Sequence, residues 1–261
     1  MKEIGLNLYS VRNLIATEED FLETALKLKE MGYTFFQYSG APFESERIKR
    51  VTEATGTSIC LTHMPMGRLL NETEKVMEEN LYFGNRNIGL GMMPATSLID
   101  EKSCKENVEK LNRVGELMQK NGCRFFWHHH SYEFLKHGGQ TIFDYVVENA
   151  PYIHFTLDTY WLQVGGVNIL EYIEKLKGRA ACVHLKDLRT AYTLDANGYP
   201  AFAPEYAPCG DGVLNFKDII AKMRETGVEH YLVEQDNAAD LPDTLMQVER
   251  SSRYLKQFLK N

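Results

Sequence analysis

The segment that decides the fold runs from residue 153 to residue 187 and reads IHFTLDTYWLQVGGVNILEYIEKLKGRAACVHLKD. Its two apolar runs, residues 153–158 and 180–186, have the nearly continuous hydrophobicity of parallel strands that are buried on both faces. Between them, residues 169–177 have helical spacing and stop at Gly178, a residue type that favours helix termination. The segment therefore predicts a strand–helix–strand unit.

The same unit recurs along the chain. Six more apolar runs bring the number of predicted strands to eight: residues 4–9, 34–38, 58–63, 87–92, 123–130 and 230–235. Amphipathic stretches predict further helices at 21–31, 45–54, 105–120, 216–225 and 241–259. This alternation predicts an α/β fold, a (β/α)8 TIM barrel. The rival doubly wound sheet lacks its phosphate-binding fingerprint here. Because we find no linker, we expect residues 1–261 to form a single domain.

Composition narrows the classes of function. Hydrophobic residues make up 44% of the chain and charged residues 25%, as in ordinary globular enzymes. The formal net charge of −7 argues against nucleic-acid or membrane partners. The five cysteines form no CxxC pair, so we expect neither a disulfide framework nor a zinc ribbon. Without a signal-like or membrane-spanning run, we expect a cytoplasmic protein.

One predicted connection is unusually long. Residues 188–215 show no clear periodicity and include the sequence AYTLDANGYPAFAPEYAPCGDG at 191–212. Long loops in compact domains are commonly functional, and this one follows strand seven at the face where barrel enzymes bind substrate. We therefore expect a lid or specificity loop.

Chemically active side chains stand at the ends of the last four predicted strands: Glu133, Asp158, His184 and Glu234. Charged groups that end apolar strands are costly unless they are paired or bound to a metal. These strand ends are neighbours on one rim of a closed barrel, so the four side chains are expected to converge. Three carboxylates and one neutral imidazole carry a charge of −3 and suit one divalent ion, with Mn²⁺ expected first and Mg²⁺, Co²⁺ or Zn²⁺ left open.

Each of these residues also has a structural interpretation. Asp158 could cap the following helix, and His184 could be a hydrogen-bonded core residue. The run of histidines at 128–130 could bind zinc alone, but adjacent strand residues point to opposite faces, so only His128 and His130 share one. The coincidence of four such residues on consecutive strand ends favours the metal site.

Short motifs in the expected order extend this interpretation: GLNLYSVR at 5–12, HMP at 63–65, HHHSYEF at 128–134, LDTYW at 157–161, VHLKD at 183–187, GDG at 210–212 and VE at 233–234. In these motifs the chain resembles the xylose isomerase-like superfamily of sugar phosphate isomerases and epimerases. The resemblance implies that Glu133, Asp158, His184 and Glu234 are metal ligands and that Glu133 and Glu234 are the acid/base pair.

Four other residues are predicted to bind substrate. His63, His130 and Lys186 are expected to donate hydrogen bonds to substrate hydroxyls or to a developing oxyanion. His184 and Lys186 are expected to point the same way because strand side chains alternate. Trp161 is expected to present an apolar surface beside the sugar ring, although a role in core packing is equally consistent with the sequence.

The resemblance implies a metal-dependent isomerase or epimerase that moves a proton through a metal-bound enediolate of a keto sugar. The alternative is a dehydratase or lyase acting on an inosose, a dehydroshikimate or a 3-keto-glycoside, and HLKDLR at 184–189 resembles inosose dehydratases. A metal-stabilised sugar-binding barrel without turnover is a third possibility, against which the retention of both Glu133 and Glu234 argues.

The chain departs from its superfamily at two positions. Gln37 stands where many relatives have an acidic residue, and Trp161 stands where ketohexose epimerases and the related DNA-repair endonucleases have a histidine. Trp161 argues against both of those activities. We expect a small, non-phosphorylated sugar or cyclitol substrate, and the resemblance implies a homo-oligomer, a dimer or a tetramer.

Overall fold

The computed structural model describes residues 3–259, so the ends of the predicted domain, residues 1–2 and 260–261, lie outside it. Eight parallel strands close into a barrel: β1 (Ile4–Asn7), β2 (Tyr33–Tyr38), β3 (Ser58–Met64), β4 (Asn87–Leu90), β5 (Arg124–His128), β6 (Ile153–Asp158), β7 (Cys182–Leu185) and β8 (His230–Val233). Each strand pairs with its sequence neighbours, and β8 pairs with β1 to complete the ring. The predicted (β/α)8 barrel is confirmed.

Helices surround the barrel. They span Glu18–Glu30, Ser45–Thr55, Met66–Asn71, Thr73–Tyr82, Thr96–Ile99, Glu101–Lys120, Ile142–Asn149, Thr159–Val164, Ile169–Lys175, Phe216–Glu225 and Thr244–Leu259, with 3₁₀ segments at Leu8–Leu14, Ser131–Phe134 and Ala238–Asp240. The first helix begins with a capping box, in which the side chain of Thr17 accepts a hydrogen bond from the backbone N–H of Asp20 and the side chain of Asp20 accepts one from the backbone N–H of Thr17.

The interior of the barrel changes character from one end to the other. Its amino-terminal end is filled by a small apolar cluster made of Phe35, Cys60, Leu61, Phe126, Ala181, Cys182 and Leu232. Because strand side chains repeat every two residues, the inward positions that follow Phe126, Cys182 and Leu232 are His128, His184 and Glu234. The apolar floor therefore supports a polar upper layer at the carboxyl ends of the strands.

The long segment after β7 is a hairpin. Strands Asp187–Leu194 and Pro200–Ala207 pair in antiparallel register, with Asp187 opposite Ala207 and Leu194 opposite Pro200. The segment without clear periodicity thus contains two regular strands, and its role as a lid or specificity loop stays a prediction. Alternate residues, Leu188, Thr190, Tyr192 and Leu194, lie on one face. The turn spans residues 195–199, where the backbone N–H of Gly198 donates to the oxygen of Asp195. Asn-Gly between alternating apolar residues is itself a hairpin signal.

Among residues 3–259, no helix combines the length and the apolar character needed to cross a membrane.

Candidate metal centre

Four buried side chains direct one donor atom each to a common point at the carboxyl end of the barrel. They are His128, Asp158, His184 and Glu234, and their donor atoms lie within 4.8 Å of one another. The Nδ1 atom of His184 is 2.9 Å from Oε2 of Glu234 and 3.4 Å from Oδ2 of Asp158. The Nε2 atom of His128 is 3.2 Å from Oδ2 of Asp158. We call these four residues the donor cluster.

Hydrogen bonds outside the donor cluster orient both imidazoles. Nδ1 of His128 lies 2.9 Å from the backbone oxygen of Gly91, and Nε2 of His184 lies 2.8 Å from Oε1 of Gln37. An oxygen acceptor at these positions requires an N–H on the facing nitrogen, which leaves a lone pair on Nε2 of His128 and on Nδ1 of His184. Those two atoms face each other at 3.2 Å. Metal-binding histidines commonly have this arrangement, in which an outer acceptor fixes the tautomer.

The donor cluster fits a divalent ion chemically. Two neutral imidazoles and two carboxylates give two nitrogen and two oxygen donors with a charge of −2. Donor atoms bound about 2.1 Å from one ion lie about 3 Å or slightly more from their neighbours, which agrees with the separations of 2.9–3.4 Å in the cluster.

The carboxylates also perturb the imidazole that lies between them. Burial by itself lowers the pKa of His184, but the adjacent Glu234 and Asp158 outweigh burial and raise that pKa to about 9. For the carboxyl group of Glu234 the effects are opposite: burial raises its pKa, but His184 and Lys186 outweigh burial and hold that pKa well below its usual range. The site therefore favours a positive charge at its centre.

Glu133 lies apart from the other three predicted ligands in the structure. Its carboxylate accepts hydrogen bonds from the backbone N–H of His130 at 2.8 Å and from Nε1 of Trp127 at 3.2 Å. Trp127 is adjacent to His128 on β5 and therefore points to the opposite, outer face of the barrel wall. Glu133 lies in the 3₁₀ segment Ser131–Phe134, beyond the strand, and His128 takes its place in the donor cluster.

Lys186 lies inside the barrel beside the donor cluster and is almost fully buried. Its Nζ is 3.0 Å from Oε2 of Glu234, 2.6 Å from Oδ1 of Asp236 and 3.5 Å from Oδ2 of Asp158. Burial acts to lower the pKa of Lys186, but the three carboxylates raise it well above its usual value. Lys186 is therefore an ammonium ion and a hydrogen-bond donor.

Two residues beside Glu234 were missed by the sequence analysis. Asn7 donates a hydrogen bond from Nδ2 to Oε1 of Glu234, and Asp236 pairs with Lys186. Asp236 lies in the turn that follows β8, beyond the strand, so strand alternation gives no signal for its direction. Asn7 is in the motif at 5–12, but an amide among apolar residues gives no specific signal.

The other predicted substrate-binding residues line a cavity of about 1000 Å³ above the donor cluster. His63 lies 3.1 Å from Nε2 of Gln37 and stacks on His128, with ring centroids 5.4 Å apart. His130 stacks on Tyr132, and Trp161 lies beside His130 with ring centroids 5.0 Å apart. All three predicted side chains, like Lys186, contact the same cavity.

The end of β7 is fixed by Asp187, which points away from Lys186. Its carboxylate accepts hydrogen bonds from the backbone N–H groups of Leu188, Gly210, Gly212 and Leu214 at 2.9–3.1 Å. A Cβ atom at Gly212 would lie 2.3 Å from Oδ1 of Asp187, so this close approach requires glycine. The GDG motif thus anchors the base of the hairpin.

The chain belongs to the xylose isomerase-like TIM barrel family, whose model matches residues 25–258. It is 26% identical over 171 residues to an inosose dehydratase of Clostridium perfringens, covering 61% of this chain and 56% of that protein. The chain thus spans about half the length of this curated relative.

Solved structures show the same fold. A sugar phosphate isomerase/epimerase from Parabacteroides distasonis superposes on this chain with a TM-score of 0.78 and is 22% identical to it. The superposition includes 98% of this chain and 93% of the Parabacteroides chain. A xylose isomerase-like TIM barrel protein from Mycobacterium smegmatis, in complex with magnesium, superposes with a TM-score of 0.71 at 16% identity, over 99% of this chain and 97% of its own.

Proposed function

We propose that this protein is a metal-dependent lyase that removes the proton next to the ketone of a polyhydroxylated substrate, an inosose or a 3-keto-glycoside, and expels the β-oxygen substituent. The observation that carries this proposal is the contact of 3.0 Å between Oε2 of Glu234 and Nζ of Lys186 at the cavity floor. It places a carboxylate base and an ammonium acid side by side. The similarity to an inosose dehydratase supports the same reaction type.

The proposed ligands of the metal are His128, Asp158, His184 and Glu234. Two nitrogen and two oxygen donors suit Mn²⁺, Co²⁺ or Zn²⁺ better than Mg²⁺, which prefers oxygen. Such an ion supplies Lewis-acid polarisation of the ketone, which makes the neighbouring C–H more acidic.

The chain's own groups can complete the reaction without a net change of protons. Oε1 of Glu234, which also accepts a hydrogen bond from Asn7, takes the proton from the carbon next to the ketone. A carbon–carbon double bond forms while the β carbon–oxygen bond breaks, and Nζ of Lys186 protonates the departing oxygen. The proton on Glu234 then passes to Lys186, which restores both groups. The products are an unsaturated ketone and either water or an alcohol.

The position of Glu133 separates this reaction from epimerisation. Epimerisation needs proton carriers on both faces of the reacting carbon, and the carboxylate expected on the second face, Glu133, lies outside the barrel wall. Isomerisation or epimerisation is the second candidate because His63 also contacts the cavity and could return a proton from another side. Burial lowers the pKa of His63 well below its usual value, which favours its uncharged imidazole.

The two reactions differ in their products. We propose incubating the purified protein with Mn²⁺ and either scyllo-inosose or methyl 3-keto-glucoside in deuterium oxide, followed by NMR. A lyase gives an unsaturated ketone and releases water or methanol, whereas an epimerase exchanges hydrogen for deuterium and releases neither. Exchange without elimination would establish the second candidate. Neither elimination nor exchange with either substrate would contradict both.

Variants connect the activity to the proposed acid and base. Glu234→Gln and Lys186→Met should each lower kcat by about 10²-fold or more. The exposed Glu23, which pairs with Lys27 on the first helix, provides a matched control. Glu23→Gln should retain full activity. Wild-type turnover by Lys186→Met would remove Lys186 as the acid.

A further inference from the structure

The cavity above the donor cluster has two chemically different sides. The side formed by β1, β7 and β8 is polar and includes Asn7, Lys186, Glu234 and Asp236. The opposite side is formed by the end of β3 and the loops after β2, β3 and β4. It includes the polar residues Ser39, His63 and Arg68, but most of its lining is apolar: Ala41, Pro42, Phe43, Met64, Pro65, Met66, Met92 and Pro94. We call these apolar residues alone the apolar wall.

The apolar wall has a fixed part and an adaptable part. Phe43 is held edge-on by Tyr38 and Phe83, with ring centroids 6.2 Å and 6.1 Å apart. Met66 is half-buried, and Met92 is 60% exposed. Methionine is flexible and polarisable and therefore fits apolar ligands of varied shape. A rigid aromatic ring beside two methionines is suited to an apolar group rather than to sugar hydroxyls.

The size of the cavity also exceeds what one sugar ring needs. Its volume of about 1000 Å³ lies at the upper end of the range of about 300–1000 Å³ for sites that enclose drug-sized ligands. A six-membered keto ring bound at the polar side would leave the apolar wall facing water.

Charge at the cavity argues against an anionic substituent. The two cationic side chains that line it among the described residues are Lys186 and Arg68. Lys186 is paired with Glu234 and Asp236, and the guanidinium of Arg68 lies 2.7 Å from Glu79 and 3.4 Å from Glu72. Both cations are thus already neutralised by carboxylates, which leaves no evident partner for a phosphate group.

We infer that the substrate is a 3-keto-glycoside whose departing oxygen carries an alkyl or aryl group, and that this group packs against the apolar wall. This inference rests on the proposed function and specifies its substrate class. The ring lies at the polar side beside Glu234 and Lys186, and the apolar substituent extends toward Phe43, Met66 and Met92. Elimination then releases an apolar alcohol.

Binding of unreactive glycosides tests the apolar wall independently of turnover. We propose calorimetric titration of the Mn²⁺-loaded protein with methyl, butyl and hexyl β-glucosides, which lack the ketone. Burial of the added methylenes should lower Kd at least about tenfold from methyl to hexyl. Met66→Ser should reduce this gain. Met246, which is 56% exposed and outside the cavity lining, provides the matched control, and Met246→Ser should preserve the gain.

Turnover of the corresponding 3-keto-glucosides separates this inference from the proposed function. The three leaving alcohols have similar acidity, so a rise in kcat/KM along the series reports packing rather than leaving-group chemistry. Equal Kd values for methyl and hexyl glucosides would overturn the inference even if methyl 3-keto-glucoside is cleaved. A tenfold gain in binding that Met66→Ser reduces, without cleavage of any 3-keto-glucoside, would overturn the 3-keto-glycoside as the substrate, whereas the proposed lyase would fail only if scyllo-inosose were also left unchanged.

Discussion

Replacing His128 should weaken metal binding far more than replacing Glu133. The sequence motif implied that Glu133 is a ligand, whereas the structure directs Nε2 of His128 into the donor cluster. The variants His128→Ala and Glu133→Gln therefore distinguish the two ligand sets. Both residues are buried, so the comparison is between groups of similar exposure.

The expected difference follows from the contacts of each group. Nε2 of His128 is 3.2 Å from both Oδ2 of Asp158 and Nδ1 of His184, so its removal takes away one of four converging donors. Loss of a group that only supports a ligand typically weakens metal affinity about 10–100-fold. Loss of the ligand itself should weaken it at least about 100-fold. The carboxyl group of Glu133 accepts hydrogen bonds from Trp127 and from the backbone of His130, and the metal affinity of its variant should remain within about tenfold of the wild type.

Competition with a chromogenic chelator gives the affinity for Mn²⁺ and Zn²⁺, and elemental analysis gives the metal content of the purified proteins. Circular dichroism of each variant provides the folding control. If Glu133→Gln lost its metal while His128→Ala retained wild-type affinity, the geometric assignment of the donor cluster would be refuted.

Three further predictions concern stability and ligand orientation. Burial raises the pKa of the Glu133 carboxyl group from 4.5 to about 8. The protonated group therefore stabilises the fold fully below the pKa that Glu133 has in the unfolded chain, and this stabilisation is lost as the pH rises toward 8. Urea titrations at several pH values should show the loss in the wild type but not in Glu133→Gln. Gln37→Leu, which frees Nε2 of His184, should weaken metal affinity about 10–100-fold by chelator competition. Asp187→Asn should lower the free energy of unfolding, measured by urea titration, by about 2–4 kcal/mol, because an amide nitrogen would then face backbone N–H groups. Asp211, which pairs with Arg250 at the surface, provides the control, and Asp211→Asn should change this free energy by less than about 1 kcal/mol.

The sequence predicts the barrel well because two simple periodicities govern it. Buried parallel strands appear as short apolar runs, and helix stops appear as glycines such as Gly56 and Gly178, which have positive φ angles in the structure. Short helices were missed where the chain has no room for a full amphipathic pattern. Met66–Asn71 and Thr159–Val164 each contain only six residues.

The site was predictable only as far as the strands extend. Asp158, His184 and Glu234 end or directly follow strands, so alternation places each of them correctly on the inner face. Glu133 lies five residues beyond His128, where a 3₁₀ turn replaces the strand and alternation no longer applies. The backbone there turns the carboxylate toward Trp127. A motif match therefore identified a residue that the local backbone directs elsewhere.

The charges around the donor cluster explain why this part of the barrel is suited to a dication. Asp158 and Glu234 are buried and Asp236 is partly exposed; together they contribute three negative charges, of which Lys186 neutralises one. Two negative charges then remain in a region of low dielectric constant, where unpaired charge is strongly unfavourable. The same excess raises the pKa of His184 to about 9 by stabilising its protonated form. A divalent ion held by the four donor atoms supplies two positive charges and lets both imidazoles remain neutral ligands. Lys186 therefore has two roles in our proposal: it balances the charge of the metal centre, and it presents an N–H group to the departing oxygen of the substrate.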